Sequence, residues 1–314
     1  MIAFGPVPSR RLGHSLGINN IPPKICSYAC VYCQLGKTLN MQLNRMEFYK
    51  LNDIINDVFN KIAEAKTKKE PIDYLSFVPD GEPTLDINLG KEIDMLNSLG
   101  KKIAVISNAS LISNNSVRDD LAKADWVSLK VDAVSEECWR QIDRPHGALK
   151  LKDILDGIST FSRMFDGTLV TETMLIKNVN DNKNEISKIA SYLMDINPNI
   201  AYIAIPTRPP AEKWVEPAYE HNINKAYQVF NEKLDKVEYL LGYEGNAFAF
   251  TNNAEDDLLS ITSVHPMRED AINEFLLKSN ADANLIKRLI IEGKLVETEY
   301  NGKKFYTRKL SRLT

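Results

Sequence analysis

Long apolar runs, histidine and cysteine are all scarce in this chain, and each scarcity excludes something. No stretch of the 314 residues stays apolar for the length a bilayer span needs. The opening residues, Met1-Ile2-Ala3-Phe4-Gly5-Pro6-Val7-Pro8, are broken by prolines and make neither a signal peptide nor an anchor, so a cytoplasmic protein without a membrane partner is expected. The four histidines, His14, His146, His221 and His265, are scattered without metal-ligand spacing. Neither sign of charge dominates: a net charge of −3 does not mark a nucleic-acid binder, although a local basic face is compatible with it. Apolar residues at 44% and charged residues at 26% are ordinary globular values, which excludes wholesale disorder.

Only four cysteines occur, yet three of them, Cys26, Cys30 and Cys33, fall within the eight residues Cys26-Ser27-Tyr28-Ala29-Cys30-Val31-Tyr32-Cys33. Thiolates this close converge on a soft metal centre. A structural zinc site needs four closed ligands, for which His14 is a candidate fourth. An odd trio without a signal sequence is not a disulfide staple. On a [4Fe–4S] cluster three cysteines leave one iron open, and a small molecule with an amine and a carboxylate chelates it. The spacing, with aromatic Tyr32 just before the last cysteine, resembles the signature of the radical S-adenosylmethionine (SAM) superfamily. The fourth cysteine, Cys138, stands alone between Glu137 and Trp139 and reads as a small buried hydrophobe.

Apolar residues at three- and four-residue steps predict a helix over 51–65, followed by a strand at 73–78. Strands at 102–107, 126–131, 168–176 and 201–205 then alternate with helices at 117–122, 135–142, 151–165 and 184–194. With a strand ending near Asn20 this makes six, and the alternation implies right-handed crossovers and a parallel sheet. The expected class is α/β, a partial (β/α)6 barrel of the radical SAM type over residues 1–250. From Trp214 to about Asn253 the pattern is less regular, with a helix at 223–234 and an apolar stretch at 247–250. Residues 255–314 read as a separate unit: two helices around the Ser279-Asn280-Ala281-Asp282 turn, then two alternating segments joined by Asn301-Gly302, a strong hairpin signal. Two helices and a hairpin make a winged helix.

Asp80-Gly81-Glu82-Pro83-Thr84 follows the strand at 73–78, and loops at the carboxyl ends of parallel strands form sites. Gly81 permits close backbone approach to a ligand, and Glu82 suits an ammonium group. The stretch resembles the superfamily's glycine-glutamate motif, which holds the methionyl amine of SAM, with Asp80 where that motif often has a glycine. Ser107 and Asn108 end the next strand and suit ribose hydroxyls. Lys130 and Asp132 end the one after, where paired charges line a polar cavity more readily than a core. Glu172, inside Thr168-Leu169-Val170-Thr171-Glu172-Thr173-Met174, needs a partner or a solvated interior and is placed near SAM or substrate. Arg208 follows the sixth strand and reaches the same mouth. Arg10 and Arg11 suit either a SAM carboxylate or a substrate phosphate, or form a solvated surface.

Phe4 to Gly13, Cys26 to Gly36 and Asp80 to Leu85 together look like a group of radical SAM proteins, of unassigned activity, similar to the wyosine-type tRNA-modifying synthases. Those synthases carry a second cluster on cysteines upstream of the signature, and no cysteine precedes Cys26 here. The resemblance implies a [4Fe–4S] cluster and SAM as cofactors and a low-potential electron donor such as flavodoxin or ferredoxin. It also implies reductive cleavage of SAM to a 5′-deoxyadenosyl radical that abstracts a substrate hydrogen, with RNA as the leading substrate class. From 285 onward basic residues outnumber acidic ones eight to three, which gives the winged helix a face for phosphates in Lys287, Arg288, Lys303, Lys304 and Arg308. Two other readings stand: an enzyme modifying a peptide held by the winged helix, and a DNA-binding regulator with the cluster as redox sensor.

Overall fold

A computed structural model describes residues 2–241, 253–264, 266–282 and 284–309. The chain runs β1 (Ala3–Ser9), β2 (Gly13–Ile18), β3 (Ile25–Cys26), β4 (Asn40–Met41), α1 (Leu51–Thr67), β5 (Tyr74–Phe77), α2 (Leu89–Asn97), β6 (Lys102–Ser107), α3 (Asn115–Leu121) and β7 (Trp126–Lys130). It continues through α4 (Glu136–Ile142), α5 (Leu151–Met164), β8 (Thr168–Met174), α6 (Lys183–Ile196), β9 (Ile200–Ala204), α7 (Glu220–Asn231) and β10 (Val237–Leu240). The last elements are α8 (Ala254–Val264), β11 (Met267–Arg268), α9 (Glu269–Ser279), α10 (Asn284–Ile291), β12 (Leu295–Tyr300) and β13 (Lys303–Arg308).

Eight strands form one sheet in the order β1-β2-β5-β6-β7-β8-β9-β10. From β2 onward every pairing is parallel, and helices supply the crossovers. One face of the strands is apolar because helices cover it: Leu75, Val105, Val127, Leu169 and Ile203 pack with helix residues such as Ile54, Ile93, Ile158 and Ile189 in one core. The architecture is therefore a mixed α/β fold on a parallel sheet.

Three elements of the main sheet and its crossovers depart from the expected order, and α8 is a further helix that the sequence did not predict. Helix α2 falls between the second and third expected strands, with Leu89, Ile93 and Leu96 buried at helical spacing. β10 adds a seventh parallel strand beside β9, and the predicted 247–250 stretch lies outside the described residues. The proline-broken N-terminal segment, for which no strand was expected, is the antiparallel edge strand β1. Its prolines are tolerated because an edge strand leaves one row of backbone groups unpaired.

The register of β1 shifts between Phe4 and Val7. Residues three apart would face opposite sides of a regular strand, and the extra residue of this bulge returns both to one side. There Phe4 and Val7 join a second core with Leu258, Ile261, Ile272, Phe275, Leu289 and Tyr306. That core belongs to the C-terminal elements, in which α8, α9 and α10 pack on a three-stranded sheet of order β11-β13-β12. Ion pairs Lys61–Asp257 (3.8 Å) and Lys278–Glu70 (3.0 Å) also cross between the two parts. The Tyr300 hydroxyl donates to the Pro206 carbonyl at 3.2 Å, bringing the β12–β13 hairpin to the loop after β9.

Candidate active site

The cysteine loop leaves the sheet after β2 and is tied at both ends. β3 pairs with β4, and Gln42 N donates to Cys26 O at 3.1 Å. Two successive turns, Cys33 N to Cys30 O and Gly36 N to Cys33 O, both 3.1 Å, fold the middle. The segment after α4 is its floor: Val31 N donates to Ile142 O (2.9 Å), Ala29 N to Asp143 O (3.0 Å) and His146 N to Ser27 O (3.0 Å). The three thiols are free, and Cys138 is buried in the main core.

The Asp80–Thr84 loop lies directly against this one. A Cβ on Gly81 would stand 1.8 Å from the Ile25 carbonyl oxygen, so only glycine permits the contact. Glu82 is almost fully buried and rigidly held. Its Oε1 accepts from Thr84 N (3.1 Å), Thr84 Oγ1 (2.6 Å) and Ser107 Oγ (2.7 Å), and its Oε2 from Asn108 N (2.8 Å). Burial raises its pKa against these hydrogen bonds. Ser107 and Asn108, expected at ribose hydroxyls, both donate to Glu82. The Asn108 side chain also donates to Ser27 Oγ (3.0 Å) and Cys26 Sγ (3.5 Å).

The far wall is charged. Lys130 and Glu172 are register partners on β7 and β8. Lys130 Nζ donates to Glu172 Oε1, and Arg11 Nη1 to Glu172 Oε2. Burial lowers the Lys130 pKa, but Glu172 and Asp132 outweigh it and the net shift is upward. The Tyr32 hydroxyl donates to Asp132, which also accepts from Met174 N at 2.6 Å. Arg208 donates to Gln34 Oε1 at 2.8 Å.

Eleven of the twelve predicted site residues line one cavity of about 310 Å³: the three cysteines, Tyr32, Gly81, Glu82, Ser107, Asn108, Lys130, Glu172 and Arg208. The twelfth, Asp132, lies behind the wall and reaches it through Tyr32. His14 is corrected as a fourth metal ligand, because it sits at the start of β2, away from the cavity, with Nδ1 3.2 Å from Asp73 Oδ2. Among the described residues no three His, Cys, Asp or Glu side chains are arranged to hold a single metal ion. A cubane cluster does not ask for that, since its thiolates attach to different irons.

The donor set fits a cluster. Three soft thiols face one cavity, and burial pushes them up, Cys26 to about 12 with Glu82 adding to the effect. Bound iron removes such protons outright. Sequence reasoning missed two polar partners of this site. Cys30 Sγ donates to Asp143 Oδ1 at 3.3 Å, and Asp143 follows α4 with no motif to mark it. Asp80 accepts from Asn19 Nδ2 at 3.0 Å through Oδ2, while its buried Oδ1 has no hydrogen-bond partner among the described residues. Burial pushes its carboxyl up to about 7, against the hydrogen bond from Asn19 and the charges of Arg308 and Lys24.

Parallel strands whose carboxyl ends carry this cysteine loop and this glutamate define a class. The chain belongs to the radical SAM superfamily, whose family model matches residues 20–190. Over 98% of its length, and 96% of the relative's, it is 50% identical to a UPF0026 protein of Methanocaldococcus jannaschii. A solved radical SAM methyltransferase from Sphaerobacter thermophilus is similar with a TM-score of 0.56 at 13% identity, over 72% of this chain and 66% of that one. A structure of TYW1 with a lysine-pyruvate adduct bound gives 0.51 at 16% identity, over 70% and 74%. These two likenesses are of fold.

Proposed function

We propose that this chain is an enzyme in which Cys26, Cys30 and Cys33 hold a [4Fe–4S] cluster, the Gly81–Glu82 loop holds SAM, and RNA is the substrate class. The supporting observation is the single cavity that joins the three thiols, the fixed carboxylate of Glu82 and the charged wall of Arg11, Glu172 and Lys130. When bound, the reduced cluster and SAM together supply a 5′-deoxyadenosyl radical able to abstract a substrate hydrogen.

The chain's own residues do the rest. Oε1 of Glu82 is filled by three donors, so Oε2, which takes the Asn108 N–H, is the oxygen available to an ammonium. Ser107 and Asn108 are positioning residues for that carboxylate. Lys130 and Glu172 face the cavity and contact substrate, whereas Asp132 acts through Tyr32. Enclosure by the cysteine loop and the strand ends excludes water from a reactive radical.

In this reading residues 1–250 form a partial barrel and 255–314 a winged helix that holds the polymer. Support comes from the order α9, α10 and the β12–β13 hairpin, and from Lys287 and Lys303, which have no acidic partner among the described residues. Lys304 and Arg288 are instead paired with Glu297 and Glu255, which leaves a smaller basic face than their sequence suggests.

The test is anaerobic reconstitution with iron and sulfide, reduction with dithionite, and assay of 5′-deoxyadenosine from SAM. Product in wild type and at least a hundredfold less in Cys30→Ala is expected. A loaded cluster that cleaves no SAM, even with cell extract as a source of substrates, moves the redox-regulator reading forward. Bound peptide without RNA in a pull-down favours the peptide-modifying reading.

A further inference from the structure

The turn that carries Glu82 does not hold its own shape. Pro83–Leu85 is a single 3₁₀ turn, and a helix so short leaves its last carbonyls without backbone donors. Leu85 N closes on Glu82 O and Asp86 N on Pro83 O, both at 3.1 Å. The two amides that could continue the winding onto Thr84 O point elsewhere: Ile87 N donates to Met46 O (3.1 Å) and Asn88 N to Asp86 Oδ1 (2.8 Å). Thr84 and Asp86 are both buried, so their carbonyls need partners.

Arg45 supplies them. It lies between β4 and α1 with only 11% of its side chain exposed. Its Nε donates to Thr84 O at 2.9 Å and its Nη2 to Asp86 O at 2.8 Å. Leu89 N also reaches Asp86 O, at a longer 3.4 Å. The rest of the guanidinium is held from α3: Nη1 donates to Ser116 Oγ (2.9 Å) and Nη2 to Asp120 Oδ2. Asp120 is seated in turn against α2, where a Cβ on Gly90 would stand 2.0 Å from its Oδ1. One rigid fork thus ties two carbonyls of the turn to α3, a span that the single nitrogen of a lysine does not cover.

The same segment holds the cysteine loop. Asn40–Met41 pairs with Ile25–Cys26, and Gln42 N donates to Cys26 O, while Met46 N donates to Leu85 O at 3.0 Å. Residues 40–46 therefore form a strap from the first thiol to the turn beside Glu82, and Arg45 fastens it. Thr84 stands between Arg45 and the carboxylate. Its N–H and its hydroxyl both donate to Glu82 Oε1, at 3.1 and 2.6 Å. If the Thr84 peptide swings, Glu82 loses both bonds and Oε2 loses its aim.

We propose that Arg45 is a positioning residue for Glu82 and, through it, for the amine of SAM. It lies outside the cavity lining and acts by locking the Thr84 and Asp86 carbonyls. The proposal rests on the radical SAM reading for the ligand that Glu82 meets.

Two measurements test it in wild type, Arg45→Lys, Arg45→Gln and Asp120→Asn. The first is amide hydrogen exchange of the ligand-free protein. Exchange at Thr84, Leu85 and Asp86 quickens by about tenfold or more in both Arg45 variants, from the loss of charge-assisted contacts, and by less in Asp120→Asn, while β6 and β7 are unchanged. The second is calorimetric titration of anaerobically reconstituted protein with SAM and with 5′-methylthioadenosine, which keeps the nucleoside and sulfur but has no amine. Affinity for SAM falls about tenfold in both Arg45 variants, whereas 5′-methylthioadenosine binds within about twofold of wild type. Unchanged exchange in the turn, equal losses for the two ligands, or recovery of SAM affinity in Arg45→Lys overturns the proposal. If wild type takes up no SAM, the radical SAM reading fails, and exchange in the turn alone decides whether Arg45 positions Glu82.

Discussion

Asp80 is buried, with one oxygen unpartnered among the described residues, and the consequence of its burial is a pH dependence of unusual sign. Its carboxyl rises from 3.8 in the unfolded chain to about 7 in the folded one, so the folded state binds the extra proton between those values. Stability from this group is therefore full below the unfolded pKa and is lost as pH rises towards the folded pKa. Asp80→Asn removes the titration. Urea unfolding of the apoprotein should show the variant gaining on wild type by about 2–3 kcal/mol between pH 5 and pH 8. A gap that stays constant across that range refutes the assignment. At this scale the sequence was informative for chemistry and silent about geometry. The thiols and Glu82 were marked by spacing and motif. Ser107, Asn108 and Asp143 were not separable into ligand contacts and supports, because hydrogen-bond partners 25 or 113 residues apart leave no local pattern.

Loop and strand elements set how closely the two halves of the site meet. The Asp80–Thr84 loop rests on β3 only because residue 81 has no side chain. Gly81→Ala pushes backbone against backbone, where neither side has a flexible tip to yield, and a cost of about 2–3 kcal/mol is expected. The expected readouts are a lower melting temperature and fewer irons per chain after reconstitution. Full iron loading in Gly81→Ala means the two loops need not touch. Apart from α2 and α8, the helices and inner strands of this scaffold were legible from apolar spacing. β1 was not, because Gly5, Pro6 and Pro8 are turn residues everywhere except at a sheet edge. Nor was β10, whose four residues include an acidic one and are too few to show a period.

The whole molecule is joined through its first strand. Phe4, packed over Gly17, and Val7 belong to the core of the C-terminal elements, while neighbouring Ala3 belongs to the core of the parallel sheet. Phe4→Ala should cost about 3–5 kcal/mol and loosen both parts at once. Hydrogen exchange should then speed up in α8 and α9 as well as in β1 and β2. Exchange confined to one side means the two cores are energetically separate.

The bulge that turns Phe4 and Val7 outward also bears on how the chain is made. Their partners run from Leu258 to Tyr306, so this strand waits for elements synthesised much later. At the usual pace of translation roughly 250 further residues take about 10–50 s, during which that apolar face has nothing to cover it. The parallel sheet behind it can pair strand by strand as the chain emerges, but β1 cannot be sealed on its outer side until α8 to β13 have emerged. A chaperone that binds short apolar strands therefore has its longest opportunity at β1, and the emergence of α8 to β13 is the event that closes it.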